Sequence, residues 1–304
     1  MQGLVVSLDR GYPLVRTERG EERAQHAIDL VKNVDVRAAV GDIVDLYEEP
    51  GQDMLSIVAI QERTHTLARR ELVESVHEGS GKIKEQILAA NFDFVVVLQS
   101  LGKRALDVEY LERQLVMAND SGVETMVLLT KSDLARFLAE DVALARAAAP
   151  GSKVCTMTTT DPLTVEEPAS WFSSGKLGVL LGRSGVGKST LVNLLAGEVK
   201  QPVGCVRQKD DAGRHTTVAR RLVDLPNGGA VIDTPGMRAL GVLGSELGLA
   251  RTFPEITQKA AECYYRNCTH THEPDCAVID AVEAGFIPLR RLESYRKLAT
   301  EVFD

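Results

Sequence analysis

Aromatic side chains are scarce in this chain: they make up 5% of its 304 residues, and the first 70 contain only Tyr12 and Tyr47. A platform of rings for stacking bases is therefore poorly provided for in that part. Positive charge is short as well. With 35 Lys and Arg against 43 Asp and Glu, the net charge is -8, which argues against a general nucleic-acid coat while leaving room for a local basic patch. There is no apolar run of about 18 residues and no signal peptide, because the opening MQGLVVSLDRGYP soon turns polar. The expectation is a cytoplasmic protein without a membrane span. Cysteine is limited to five, an odd number, with three in residues 263–276 and Cys155 and Cys205 standing alone. That pattern suits a metal site and two free thiols better than a disulfide framework. Internal repeats and low-complexity segments are absent too. What remains is a composition of 44% hydrophobic and 26% charged residues, that of an ordinary soluble protein long enough for two or three domains.

Three stretches differ in character. Residues 1–70 carry short β-like runs, LVVSL, PLVRT, HAIDLV, DIVDLY and MLSIVAI, separated by Gly, Pro, Asn and acidic residues; this predicts a small barrel or sandwich. Residues 71–245 alternate between helical and fully apolar strand-like segments, which predicts a parallel sheet covered on both faces. There KIKEQILAANF reads as a helix, DFVVVLQS as a strand, DVEYLERQLVMANDSG as a helix, ETMVLLTKSD as a strand and DLARFLAEDVALARAAAP as a helix. SKVCTMT and LGVLL read as strands, the second running through a loop into the helix STLVNLLAG. Residues 246–304 read as mostly helical around a Cys/His cluster.

The segment GRSGVGKS at 182–189 fits the phosphate-loop pattern in its strand-loop-helix context. Gly182, Arg183, Ser184, Gly185, Val186 and Gly187 would turn backbone N–H groups toward phosphate, and the helix start at Ser189 and Thr190 adds partial positive charge. Lys188 would sit on the β- and γ-phosphates, and the Ser189 hydroxyl on Mg²⁺. Downstream, GGAVIDTPG runs into Asp-x-x-Gly: Asp233 is placed to orient a magnesium-bound water and the Gly236 N–H to meet the γ-phosphate. Between the two motifs lies DDAGRHTTVARRL, where Thr216 or Thr217 would complete the magnesium shell. Upstream, Thr130, Lys131 and Asp133 form TKSD at the end of an apolar run; its Asp carboxylate suits the two ring N–H groups of guanine. The order TKSD, phosphate loop, switch Thr, DTPG is that of a GTPase with its last part moved to the front. Such a permutation leaves the sheet intact, because domain termini often lie close together.

On these motifs, together with ILAANFDFVVVLQS and the Cys/His cluster, the chain resembles the circularly permuted, small-ribosomal-subunit-dependent GTPases of the RsgA type over essentially its whole length. The resemblance implies an OB-fold barrel (1–70), a circularly permuted α/β P-loop GTPase domain (71–245) and a helical zinc-binding domain (246–304). It also implies a monomeric GTP hydrolase acting in late assembly of the small subunit, with the subunit and its rRNA as partners and GTP or GDP, Mg²⁺ and one structural Zn²⁺ as ligands. Lys131 and Asp133 would bind guanine, with Thr158 or Thr159 of MTTT backing it. The water-positioning role falls to His215, since the place after DTPG is Met237. Ser189, Thr216 and Asp233 would hold magnesium through the nucleotide. Cys263, Cys268, His270 and Cys276 form C-x4-C-x-H-x5-C, a soft shell suited to structural zinc, with His272 as a rival ligand that the resemblance sets aside. Two expectations depart from the common pattern. Thr130 replaces an Asn and loses the amide that ties this loop to the phosphate loop, and the barrel would meet RNA phosphate through Arg63, Arg69, Arg70 or loop arginines.

Overall fold

The structure, a computed structural model, describes residues 1–9, 12–33, 37–73, 82–197, 220–234 and 245–303. Its first part comprises β1 (Gln2–Asp9), β2 (Tyr12–Thr17), β3 (Gly20–His26), α1 (Ile28–Asn33), β4 (Ile43–Tyr47) and β5 (Leu55–Ile60). β1 pairs antiparallel with both β2 and β4, β2 with β3, and β4 with β5, while β3 and β5 pair in parallel. The strands thus close into an OB-like barrel around Val5, Val15, Ala24, Val44, Leu46, Leu55 and Ile57. Its sequence pattern was only partly telling. HAIDLV is not a strand: it ends β3 and forms α1. β3 itself, GEERAQH, buries only Ala24, so its solvent-facing polar residues mask the strand.

β3 ends on His26, whose Nε2 accepts the Ala38 amide hydrogen at 3.0 Å. That bond needs a neutral ring, and burial, aided by the Arg37 charge, holds the His26 pKa below its ordinary value. The unfolded chain takes up a proton near pH 6.5 that the folded barrel resists. This contribution is therefore full above about pH 6.5 and lost as pH falls from there through the lower folded value. A urea midpoint measured at pH 7.5 and again at 5.5 should drop, and His26→Gln, which keeps an acceptor without the charge, should reduce that drop. Equal drops in the two proteins would remove His26 from the account.

A hairpin of β6 (Thr66–Val73) and β7 (Lys82–Ala90) follows. β7 is the segment KIKEQILAA, expected as a helix; cross-strand pairing with β6 and burial of Leu88, Ala89 and Ala90 outweigh the helix-forming Lys, Glu, Gln, Leu and Ala. At its end the barrel comes so close that a Cβ on Gly41 (φ +96) would lie 2.0 Å from the Ala90 carbonyl oxygen.

The central part contains β8 (Phe94–Ser100), α2 (Val108–Asp120), β9 (Glu124–Thr130), α3 (Leu138–Ala148), β10 (Val154–Met157) and α4 (Leu163–Trp171). It continues with β11 (Leu177–Leu181), α5 (Lys188–Ala196), β12 (Arg220–Asp224) and β13 (Ala230–Asp233). The sheet order is β10-β9-β8-β11-β13-β12, parallel throughout except for β12. Along β8 the side chains alternate as a pleated strand requires. Val95 and Val97 face a core with Leu111, Leu115 and Ala145, whereas Phe94, Val96 and Leu98 face one with Trp171, Leu191 and Val192. Two buried faces explain why the strand reads apolar at every position. At the far edge β12 pairs with β1, and Arg16 donates to both Asp224 oxygens at 3.0 and 2.7 Å, so barrel and sheet are continuous.

The chain closes with α6 (Glu246–Thr252), α7 (Pro254–Ala260), α8 (Ala277–Glu283) and α9 (Leu289–Phe303). Leu249, Phe253, Ile256, Val278, Ile287, Leu292 and Leu298 form a core that includes Val116 of α2. Beside it Glu112 of α2 is fully buried. It accepts from Arg291 at 2.8 Å, from the two terminal nitrogens of Arg290 at 3.2 and 3.1 Å, and from the Ser294 hydroxyl at 2.5 Å. Arg291 also reaches Glu255 at 2.6 Å and the Thr252 carbonyl at 2.8 Å, and its guanidinium lies over the Phe253 ring. Among the described residues no helix is long and apolar enough to cross a membrane.

Candidate nucleotide and metal sites

The carboxyl ends of β8, β9 and β11 meet where an open parallel sheet places its ligands. β11 delivers the loop 182–187, and α5 begins at Lys188. Gly182 must be glycine: a Cβ there would approach the Leu98 carbonyl oxygen to 2.9 Å and Val186 to 2.8 Å. Gly185 and Gly187 take φ of +78 and +109, conformations that side chains rarely adopt. The buried Lys188 ammonium donates to the Gly182 carbonyl at 2.8 Å and to that of Arg183 at 3.1 Å. It thereby lies across the loop 182–187. Burial pushes its pKa down, and the carboxylate of Asp233 opposes that shift. Asp233 ends β13 opposite Leu180 of β11, and the next residue, Thr234, is pinned by its hydroxyl to the Leu180 carbonyl at 2.6 Å. Ser189 and Thr190 lie half-buried in the first turn of α5.

The TKSD loop comes to the same place from β9. Lys131 turns into the left-handed region (φ 56) and donates from Nζ to the Gly185 carbonyl at 2.8 Å. Thr130 is buried, and its hydroxyl donates to the Val186 carbonyl at 2.5 Å. The expected loss of a tie is thereby corrected: a hydroxyl in place of an amide still binds this loop to the phosphate loop. Asp133 is exposed, and its Oδ1 accepts from the Thr158 hydroxyl at 2.6 Å. Thr158, at the end of β10, is held in turn by the Thr160 amide at 3.2 Å and by its own amide on the Thr164 hydroxyl at 3.0 Å. Of the two threonines left open by the sequence, Thr158 meets Asp133 and Thr159 is exposed. The role of Thr164 had no signal in the sequence, since it depends on how the turn after β10 folds back. His215, Thr216, Thr217 and Gly236 lie outside the described residues, as does Cys205.

The second candidate site is a Cys/His cluster that could hold a metal ion. One ligand atom each from Cys263, Cys268, His270 and Cys276 lie within 4.8 Å of one another. Cys263 Sγ is 3.9 Å from Cys276 Sγ, and His270 Nδ1 is 3.7 and 3.5 Å from those two sulfurs. Zinc bonds of about 2.0–2.3 Å in a tetrahedron put ligand atoms about 3.5–3.8 Å apart, so the donor set fits zinc in both chemistry and size. His270 itself takes a left-handed φ of 59, and its carbonyl accepts from the Arg296 guanidinium. The rival His272 is exposed, with Nδ1 2.9 Å from the Thr271 hydroxyl, outside the shell.

The barrel cations are largely engaged within the protein. Arg63 donates to both oxygens of the buried Asp42, at 2.8 and 2.7 Å, and Arg69 donates to Gln86 at 2.8 Å. Arg63 is therefore corrected from a phosphate contact to a structural one: without it a carboxylate inside the barrel would lose its counter-charge. The side chain of Arg70 lies outside the described residues.

A family model described as RsgA GTPase matches residues 60–243. The Streptomyces coelicolor protein named small ribosomal subunit biogenesis GTPase RsgA is 40% identical, over 99% of this chain and 80% of its own length. The protein of the same name from Methanosarcina acetivorans is 36% identical, over 90% of this chain and 72% of its own. Among solved structures, YjeQ from Thermotoga maritima shares the fold with a TM-score of 0.70 at 24% identity, covering 99% of this chain and 98% of its own. YloQ, described as a circularly permuted GTPase, aligns with a TM-score of 0.66 at 25% identity, covering 99% and 94%.

Proposed function

The chain belongs to the RsgA GTPase family, and from that premise we propose that it hydrolyses GTP to GDP and phosphate as a cytoplasmic, monomeric late-assembly factor of the small ribosomal subunit, which stimulates it. The observation that carries the guanine-nucleotide reading is the meeting of two loops about fifty residues apart in sequence. Thr130 and Lys131 are bonded to Val186 and Gly185, so a base on Asp133 and phosphates on the 182–189 loop belong to one ligand. The reading retains the division into 1–70, 71–245 and 246–304, with rRNA contacts outside Arg63.

In this reading the amides of the phosphate loop and the Lys188 ammonium take the place of water around the phosphates, lowering the cost of the charge that develops during transfer. Asp133, steadied by Thr158, accepts the two guanine N–H groups. His215, as a neutral imidazole, orients the attacking water, and the Gly236 amide meets the γ-phosphate. Ser189, Thr216 or Thr217, and Asp233 would hold magnesium, which would supply positive charge to offset that of the phosphates. Cys263, Cys268, His270 and Cys276 would hold zinc, which would supply a structural cross-link rather than catalytic chemistry, as a set of four protein donors does.

Hydrolysis measured alone and with small subunits, large subunits or bare RNA tests this reading. Small subunits alone should stimulate, and His215→Ala should lower the stimulated rate by about a hundredfold or more with GTP still bound. Tight GTP binding without stimulation by any of the three would leave the nucleotide chemistry standing and overturn the ribosomal partner. Asp133→Asn should move preference from guanine toward xanthine, and unchanged preference would take the base away from this loop.

A further inference from the structure

Arg183 stands second in the phosphate loop, where a guanidinium is long enough to reach a bound phosphate. Its side chain is engaged elsewhere. The guanidinium carbon lies 3.5 Å from the centroid of the Tyr110 ring, and a terminal nitrogen lies 3.7 Å from an Asp107 oxygen. Both partners belong to the start of α2. Asp107 is the helix N-cap and accepts the Tyr110 amide hydrogen at 3.1 Å, while Tyr110 is packed into the core with Leu111 and Leu115. Four residues along from the cap's neighbour Val108, α2 carries Glu112, buried among Arg290, Arg291 and Ser294. The helix that Arg183 grips is therefore anchored from its other side.

The loop needs such a grip. Its glycines at positive φ give it the shape that directs amides inward, and they also make that shape costly in conformational entropy to hold. Any contact that fixes the loop before nucleotide arrives removes part of that cost from binding. We propose that Arg183 is a positioning residue: its side chain does not touch the nucleotide but clamps the phosphate loop to α2 through Tyr110 and Asp107. This rests on the reading of residues 182–189 as a phosphate loop. The competing role, an arginine acting in cis on the γ-phosphate, predicts different numbers.

The test is the affinity for GDP and for a non-hydrolysable GTP analogue, with melting temperatures to confirm folding. The proteins are wild type, Arg183→Ala, Arg183→Lys, Tyr110→Leu and the Arg183→Ala/Tyr110→Leu double variant. Removing the clamp should weaken both nucleotides by the same factor, about threefold to thirtyfold, and the loss should appear in KM. Tyr110→Leu should do the same, and the double variant should bind no more weakly than either single one, because each removes the same contact. Arg183→Lys should fall between wild type and Arg183→Ala, since an ammonium keeps the charge toward Asp107 but not the flat stacking. A loss confined to the GTP analogue, a loss in kcat rather than KM, or additive losses would overturn the clamp. If Tyr110→Leu does not fold, the same cycle with Asp107→Asn, which keeps a capping side chain, decides the question. Absence of guanine-nucleotide binding by the wild type would sink the nucleotide reading itself, and this role with it.

Discussion

Chelation of zinc from the loaded protein should unfold residues 263–276 while α9 stays docked on α2. Between Cys263 and Cys276 the described structure holds turns and no regular element, and most of its side chains other than the ligands are exposed. Little apolar burial is therefore available to offset its ordering entropy, and metal binding of about 10–16 kcal/mol is the term large enough to do so. The segment is bounded differently on its two sides. α7 and α8 contribute Ile256, Val278 and Ala281 to a core shared with Leu292 and Leu298 of α9, and α9 is held independently by Glu112. Hydrogen exchange with and without a chelator distinguishes the cases: protection should vanish across 263–276 and persist across 289–303, with GDP affinity retained. Uniform loss through α9, or no loss at all, would refute this division. Cys276→Ser should reproduce the chelated pattern, since Cys276 is the buried cysteine of the cluster and its replacement cannot restore a thiolate.

Glu112→Ala should lower stability by about 3–5 kcal/mol. The carboxylate is fully buried, and its removal strips three side chains of an acceptor at once. Arg291 would suffer most. At 3% exposure its guanidinium keeps Glu255 and the carbonyls of Thr252 and Ala148 but loses its fully buried carboxylate partner. Arg290, which is 40% exposed, turns to water with little penalty. Combining the change with Arg291→Met should recover much of the loss, because a buried pair replaced by apolar groups costs far less than a pair with one member missing. Thermal unfolding of the four proteins in this cycle provides the measurement. A single-variant loss below about 1 kcal/mol, the scale of an exposed ion pair, would show that the cluster is hydrated and adds little.

The motifs show where sequence reading reached its limit. Gly182, Gly185, Gly187, Lys188 and Asp133 stand out as candidates in the sequence because the chemistry they offer is local: a turn, a charge and a carboxylate keep their meaning at fixed spacing. KIKEQILAA was misread because a strand in a two-stranded hairpin takes its conformation from its partner, and helix propensity of a few tenths of a kcal/mol per residue yields to that pairing. Arg63 was misread for a similar reason. It was named among the arginines that would meet phosphate, whereas Asp42, twenty-one residues earlier, comes to lie beside it only when the barrel closes.

By itself the sequence determined the permuted order of the nucleotide motifs, the crowding of three cysteines and two histidines into residues 263–276 and the alternation of apolar strands and helices, since each is written in residues close together in the chain. Tertiary structure alone decided that Thr130 keeps the two loops tied, that Thr158 rather than Thr159 meets Asp133, that Arg183 lies on Tyr110, and that Glu112 bolts α9 to α2. Each of these is a contact between residues far apart in sequence. Its worth comes from burial and hydrogen-bond geometry, which exist only once the chain has closed around it.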